Sequence, residues 1–235
     1  PEPRPLLRGA LPGWLNGSGA WLALAALHVL ATALATGLSP PAVLPRAAFG
    51  AATWWSTWVS DWLHNLDLKL GPKMDLATEF AYWKMDLLSI SMILATQYAL
   101  WSQGIAWAAA AIACGPLLAG TGLYMMDIGN STGGALDVLV KCTFGLQFVA
   151  LGHIAYGSVA IATCRVFIPI WFIYLPGFLC YLAKGSLNEA GGWRFARVGP
   201  HEVFHFFVYA GHLATMCLDL AHTLGWLPNC PRCRL

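Results

Sequence analysis

Long apolar runs separated by short polar breaks dominate this chain, and the lengths of those runs set its architecture. Seven segments approach the roughly 20 mainly apolar residues that a helix needs to cross the hydrocarbon core of a bilayer. They lie near 19–38, 45–64, 85–102, 104–125, 141–163, 165–183 and 201–225. The breaks fall at Ser39-Pro40-Pro41, at residues 65–84, between Trp101 and Gly104, at Gly129-Asn130-Ser131-Thr132-Gly133-Gly134, and along the polar linker Lys184 to Pro200. Glycine and proline clusters of this kind interrupt helices because proline lacks an amide donor and glycine loses the most backbone entropy on ordering. Only Thr163-Cys164-Arg165 separates the fifth and sixth segments. The pattern predicts an all-α fold: one integral membrane domain over residues 1–235, built as a bundle of seven transmembrane helices.

Composition strengthens this expectation. Hydrophobic residues make up 58% of the chain and charged residues 10%, against about 25% charged in soluble domains. Twelve tryptophans and seven tyrosines suit the aromatic belts of a membrane protein. The net charge of +2 and the absence of a basic run argue against a nucleic-acid partner. The distribution of basic residues adds orientation. With a cytoplasmic N-terminus, nine of the 13 Lys and Arg residues fall on the inner side: Arg4, Arg8, Lys69, Lys73, Lys84, Lys141, Lys184, Arg194 and Arg197. Arg46, Arg165, Arg232 and Arg234 fall outside. The excess predicts a cytoplasmic N-terminus.

Seven cysteines are scattered along the chain. Cys114, Cys142, Cys164, Cys180 and Cys217 lie in apolar segments, where single cysteines act as small packing residues. Cys230-Pro231-Arg232-Cys233 is a lone C-x-x-C pair in the tail, open to readings as incidental, disulfide-bonded, metal-binding or acylated.

Ionisable groups inside a span are costly, which makes each a functional candidate. Ser60 lies one turn before His64 on the second segment, and Asp86 opens the third with Ser89 on the same face. The seventh carries His201, His205, His212 and Asp219, which at 100° per residue fall close to one line and predict a polar bundle interior. His28, His153 and His222 have no partner by spacing and are read as structural. Asp61 is placed to pair with Lys69 or Lys73, and Lys141 lies near Asp137. By the orientation above, His64, Asp86, His201 and His205 all stand at the cytoplasmic ends of their helices.

His201-Glu202-Val203-Phe204-His205 is an H-E-x-x-H sequence on an expected helix. Histidines four apart stand one turn above each other, so both rings can reach one ion. The expected metal is zinc, with His64, His201 and His205 as ligands, since three histidines plus one open position make a catalytic zinc site. Such an ion lowers the pKa of bound water to about 7. Asp86 is the expected general base, and Ser60 the expected hydrogen-bonding partner of the water or the reacting oxyanion. Glu202, the base in a soluble zinc protease, points about 100° away from the ligand face here and is expected to act from the periphery.

Three motifs together resemble the hemolysin III / progestin and adipoQ receptor family of seven-helix membrane proteins, which is related to the alkaline ceramidases. Ser60-Asp61-Trp62-Leu63-His64 resembles the S-x-x-x-H that ends helix 2. Lys84-Met85-Asp86 is similar to the aspartate motif that starts helix 3, with Tyr98 twelve residues on. Gly199-Pro200-His201-Glu202-Val203-Phe204-His205 resembles the H-[EQ]-x-[FW]-H start of helix 7. The resemblance covers roughly residues 19–225. It implies zinc held by His64, His201 and His205, with Asp86 and Ser60 beside the ion and its water, and a cytoplasmic N-terminus. It also implies one of two activities, since some members are hormone or steroid receptors and some relatives hydrolyse ceramide amides.

The function expected first is a multi-pass membrane, zinc-dependent hydrolase of a ceramide-like lipid amide. The alternative is a signalling receptor for a lipid, steroid or hormone with structural zinc, and an intramembrane zinc protease ranks third. Each takes a membrane lipid or lipid-like ligand as its partner, except the protease.

Overall fold

The computed structural model describes residues 17–64, 76–101, 170, 172–181, 183 and 200–226. Every regular element among them is helical. They are α1 (Ser18–Thr36), α2 (Pro40–His64), α3 (Leu76–Trp101), α4 (Phe172–Tyr181) and α5 (Pro200–Thr223). The expected segments 104–125 and 141–163 lie outside the described residues. So do the tail cysteines, His153, Lys69 and Lys73.

α1 and α5 match the apolar runs to within a residue or two. Both are long and apolar enough to cross a membrane, α5 from Val203 to Thr223. α2 and α3 begin earlier than hydropathy predicts. α2 starts at Pro40 rather than near 45 because Pro40 and Pro41 sit in its first turn, where a missing amide proton removes no helical bond. The amides of Ala42 and Val43 bond the Ser39 carbonyl at 3.0 Å. α3 starts at Leu76 rather than near 85. Leu76-Ala77-Thr78-Glu79-Phe80-Ala81 is too polar to extend an apolar run, but it holds no proline or glycine to stop a helix. Asp86 therefore stands ten residues inside α3, not at its start.

The turn between α1 and α2 is tight. Gly37 and Leu38 both take left-handed backbone (φ 63° and 64°), and the Leu38 amide reaches back to the Ala33 carbonyl at 2.9 Å. The closing glycine satisfies helix-end carbonyls without a Cβ clash. The chain then returns antiparallel along α1. Gly50 of α2 lies so close to Ala25 that a Cβ there would sit 2.8 Å from the alanine Cβ. α2 packs on α3 as well as on α1, and α1 touches α5.

α1 turns its leucines outward and buries two polar side chains beside Trp21, Ala25 and Ala33. Its buried residues include His28 and Thr32, whereas Leu22, Leu27, Leu30 and Leu34 are exposed, Leu34 at 77%. A helix in water would turn its leucines inward, since burying a leucine stabilises by about 1.5–3 kcal/mol. α5 repeats the arrangement, with His212, Thr215 and Asp219 buried and Phe206 and Leu213 exposed. Cys217, expected to pack internally, is exposed on this outer face, and Cys180 is half-buried; both are free thiols. Between the polar groups sits an apolar and aromatic core of Trp21, Phe49, Ile93, Leu100, Ile170 and Tyr174.

Candidate functional site

Two sets of contacts fix the levels of the helices against one another. The Ser56 and Ser89 hydroxyls are hydrogen-bonded at 3.0 Å, and the Trp62 and Tyr82 rings stack at 5.7 Å. These pairs make α2 and α3 antiparallel and bring Ser60 opposite the Met85–Asp86 turn. Gln97 Nε2 donates to Thr215 Oγ1 at 2.8 Å, which sets the level of α3 against α5. Eleven residues earlier on each helix, Asp86 is level with Phe204, next to His205. His64, one turn beyond Ser60 on α2, ends at the level where α5 begins with Pro200 and His201. The backbone thus gathers the ends of α2 and α5 and the third turn of α3 into one layer. The side chains of His64, His201 and Glu202 lie outside the described residues.

The side chains that are described meet around Tyr209, one turn after His205. Its ring stacks on the His205 imidazole at 6.0 Å and 28° and packs against Trp21 of α1 at 5.6 Å. Its hydroxyl lies beside Ser60, within electrostatic reach of Asp86 and Asp61. Ser60 Oγ is buried and has no hydrogen-bond partner among the described residues. Asp86 is half-buried, and its carboxylate makes no ion pair there. A neighbouring backbone bond, from Ser89 Oγ to the Asp86 carbonyl at 2.7 Å, ties the same turn to Ser56. Among the described residues no three His, Cys, Asp or Glu side chains form a metal-holding group. The structure thus sets Ser60 and His205 beside Tyr209, with Asp86 at the same level of the bundle.

The polar stripe on α5 continues away from this layer, and there each group has a protein partner. Tyr174 accepts a hydrogen bond from Gln97 Nε2 at 3.2 Å and bonds His212 Nδ1 at 2.8 Å. With the tyrosine donating, the His212 proton sits on Nε2. Trp21 and Phe49 present edges to the same imidazole at 6.2 Å. Gly211 leaves room for Tyr174, whose ring a Cβ at that position would strike.

Further along, Asp219 is fully buried (0% exposed) and takes both oxygens to Arg46: Nε to Oδ2 at 2.7 Å and Nη2 to Oδ1 at 2.8 Å. His28 Nε2 donates to Oδ2 at 2.8 Å. Arg46 also bonds the Ala42 carbonyl at 2.6 Å and Thr223 Oγ1 at 3.2 Å. Arg46 was expected among the outer surface charges and His28 without a partner; both are 4% exposed and join this cluster. No spacing rule links residues 173 and 191 apart in sequence. Tyr209 did not stand out in the sequence; the signal that could have found it is its place four residues after His205, on the face of the two histidines.

No protein-family model, curated protein or solved structure matches the chain.

Proposed function

We propose that the chain is a multi-pass, seven-helix membrane hydrolase of lipid amides, of the hemolysin III / progestin and adipoQ receptor type, with zinc held by His64, His201 and His205. The observation that carries the reading is that Ser60, Asp86 and His205, from three helices, share one level of the bundle, with Ser60 and His205 beside Tyr209. The motif histidines His64 and His201 close the same backbone layer. The donor set suits a borderline-soft dication. The buried Ser60 hydroxyl, beside the Tyr209 phenol, adds a hydrogen-bonding group to the same layer.

Bound zinc supplies Lewis acidity, lowering the pKa of water to about 7 and polarising a carbonyl. Asp86 takes the proton from the attacking water as its oxygen bonds the amide carbon. Ser60 donates a hydrogen bond to the carbonyl oxygen as negative charge gathers on it. Asp86 then passes its proton to the departing nitrogen as the C–N bond breaks, releasing a fatty acid and a free amine. The exposed leucines of α1 and the buried polar groups of α1 and α5 support a lipid-embedded bundle, and the excess of inner Lys and Arg favours a cytoplasmic end for the site.

Purified protein is analysed for metal and incubated with ceramides of varied acyl length. The reading expects about one zinc per chain and release of fatty acid. Zinc with no release from any ceramide removes the hydrolase and leaves the receptor; absence of zinc removes both.

A further inference from the structure

The sequence motifs account for three histidines, a serine and an aspartate, but not for the side chain around which the described ones gather. Tyr209 is 5% exposed. One face of its ring lies nearly parallel to the His205 imidazole, and Trp21 tilts against it at 40°. His212 stands 6.3 Å further along the same helix and is itself held by Tyr174. The Tyr209 ring is therefore wedged between a tryptophan of α1 and two imidazoles of α5. Its hydroxyl projects the other way, to α2 and α3, where Ser60 and Asp86 lie. One side chain spans four helices at the level of the site.

Resting on the reading above, we propose that Tyr209 is a positioning residue for that site: its ring sets the plane of the His205 imidazole, and its hydroxyl sets the direction of Ser60 beside Asp86. An imidazole presents a single lone pair along its ring plane, so a ligand histidine free to rotate loses alignment with the ion. Metal-bound histidines are usually held by a hydrogen bond from the second ring nitrogen, and losing such an outer partner costs about 10–100-fold in affinity or activity. Here the Tyr209 ring lies against the His205 imidazole, in a layer where the phenol also carries a hydroxyl suited to a serine.

Two substitutions separate the functions of ring and hydroxyl. Tyr209→Phe keeps the stack and removes the oxygen; Tyr209→Leu removes both. Zinc affinity is read by chelator competition on the purified full-length protein in detergent, and ceramide hydrolysis is read as kcat and KM separately. Tyr209→Phe is expected to bind zinc within about twofold of wild type while kcat falls about 10–100-fold at unchanged KM. Tyr209→Leu is expected to weaken zinc about 10–100-fold. Wild-type zinc affinity in a folded Tyr209→Leu overturns the ring's role, and a wild-type kcat in Tyr209→Phe overturns the hydroxyl's. Tyr209→Phe decides the hydroxyl's role by itself, and Tyr209→Met, which fills more of the space without a ring, reads the ring's role by the same loss of zinc affinity if the leucine variant does not fold. A wild-type protein that takes up no zinc overturns the proposed function and this inference together. Zinc-loaded wild type beside indifferent variants overturns the inference alone.

Discussion

Two aspartates of this protein sit in buried polar layers about one helix length apart and are treated in opposite ways. Asp219 is saturated: a bidentate arginine and a histidine take both of its oxygens. Asp86 makes no ion pair among the described residues, and the serine beside it has no hydrogen-bond partner there. In a low-dielectric bundle a charge is tolerated when its partners are fixed. The Asp219 cluster meets that condition and ties α1, α2 and α5 together. Among the described residues, the Asp86 carboxylate has no such fixed counter-charge. The same residue type therefore carries opposite meanings in the two layers, and the partners tell them apart.

The largest expected effect tests the saturated side. Asp219→Leu strands Arg46 and should destabilise the protein by about 3–5 kcal/mol, whereas the double variant Arg46→Met/Asp219→Leu should recover most of that loss. Reversible unfolding in mixed micelles measures both. A double variant as unstable as the single one would show that the cluster is not a self-contained pair.

The open side should respond in activity instead. Asp86→Asn is isosteric and should lower ceramide hydrolysis by about 10²–10⁴-fold while shifting unfolding by less than about 1 kcal/mol. A large loss of stability with activity retained would reverse the assignment of the two aspartates. His28→Leu removes one hydrogen bond to a charged acceptor and should cost about 1.5–3 kcal/mol with zinc content unchanged, checked by unfolding and metal analysis. Gly211→Ala drives a methyl into the Tyr174 ring and should cost about 1–3 kcal/mol by overpacking, again measured by unfolding. The smallest effect is expected at Glu202. Glu202→Gln should reduce hydrolysis by less than about tenfold, whereas a zinc protease using it as base would lose about 10²–10⁴-fold.

The ends of α1 and α5 were legible because an apolar run long enough to span is bounded by glycine, proline or polar residues. The start of α3 was not. Its first turns lack the apolar run that hydropathy detects, and nothing in them stops a helix from growing backward. Ser60, Asp86 and the α5 histidines stood out by period and by the cost of polar groups in a span. Arg46 did not, since a basic residue near a helix end is ordinarily a surface charge, and only the approach of α5 turns it inward.

By itself, the sequence determined that the chain is helical and apolar, which face of α5 is polar, and which residues are candidates for chemistry. All of these follow from local spacing along one helix. The tertiary structure alone decided which aspartate is saturated, that His28 and Arg46 meet Asp219, and that Tyr209 stands among Ser60, Asp86 and His205. Partners far apart in sequence are chosen by the packing level of one helix against another. That level is set by close approaches such as Gly50 on Ala25 and by buried pairs such as Gln97 with Thr215, which no single helix encodes.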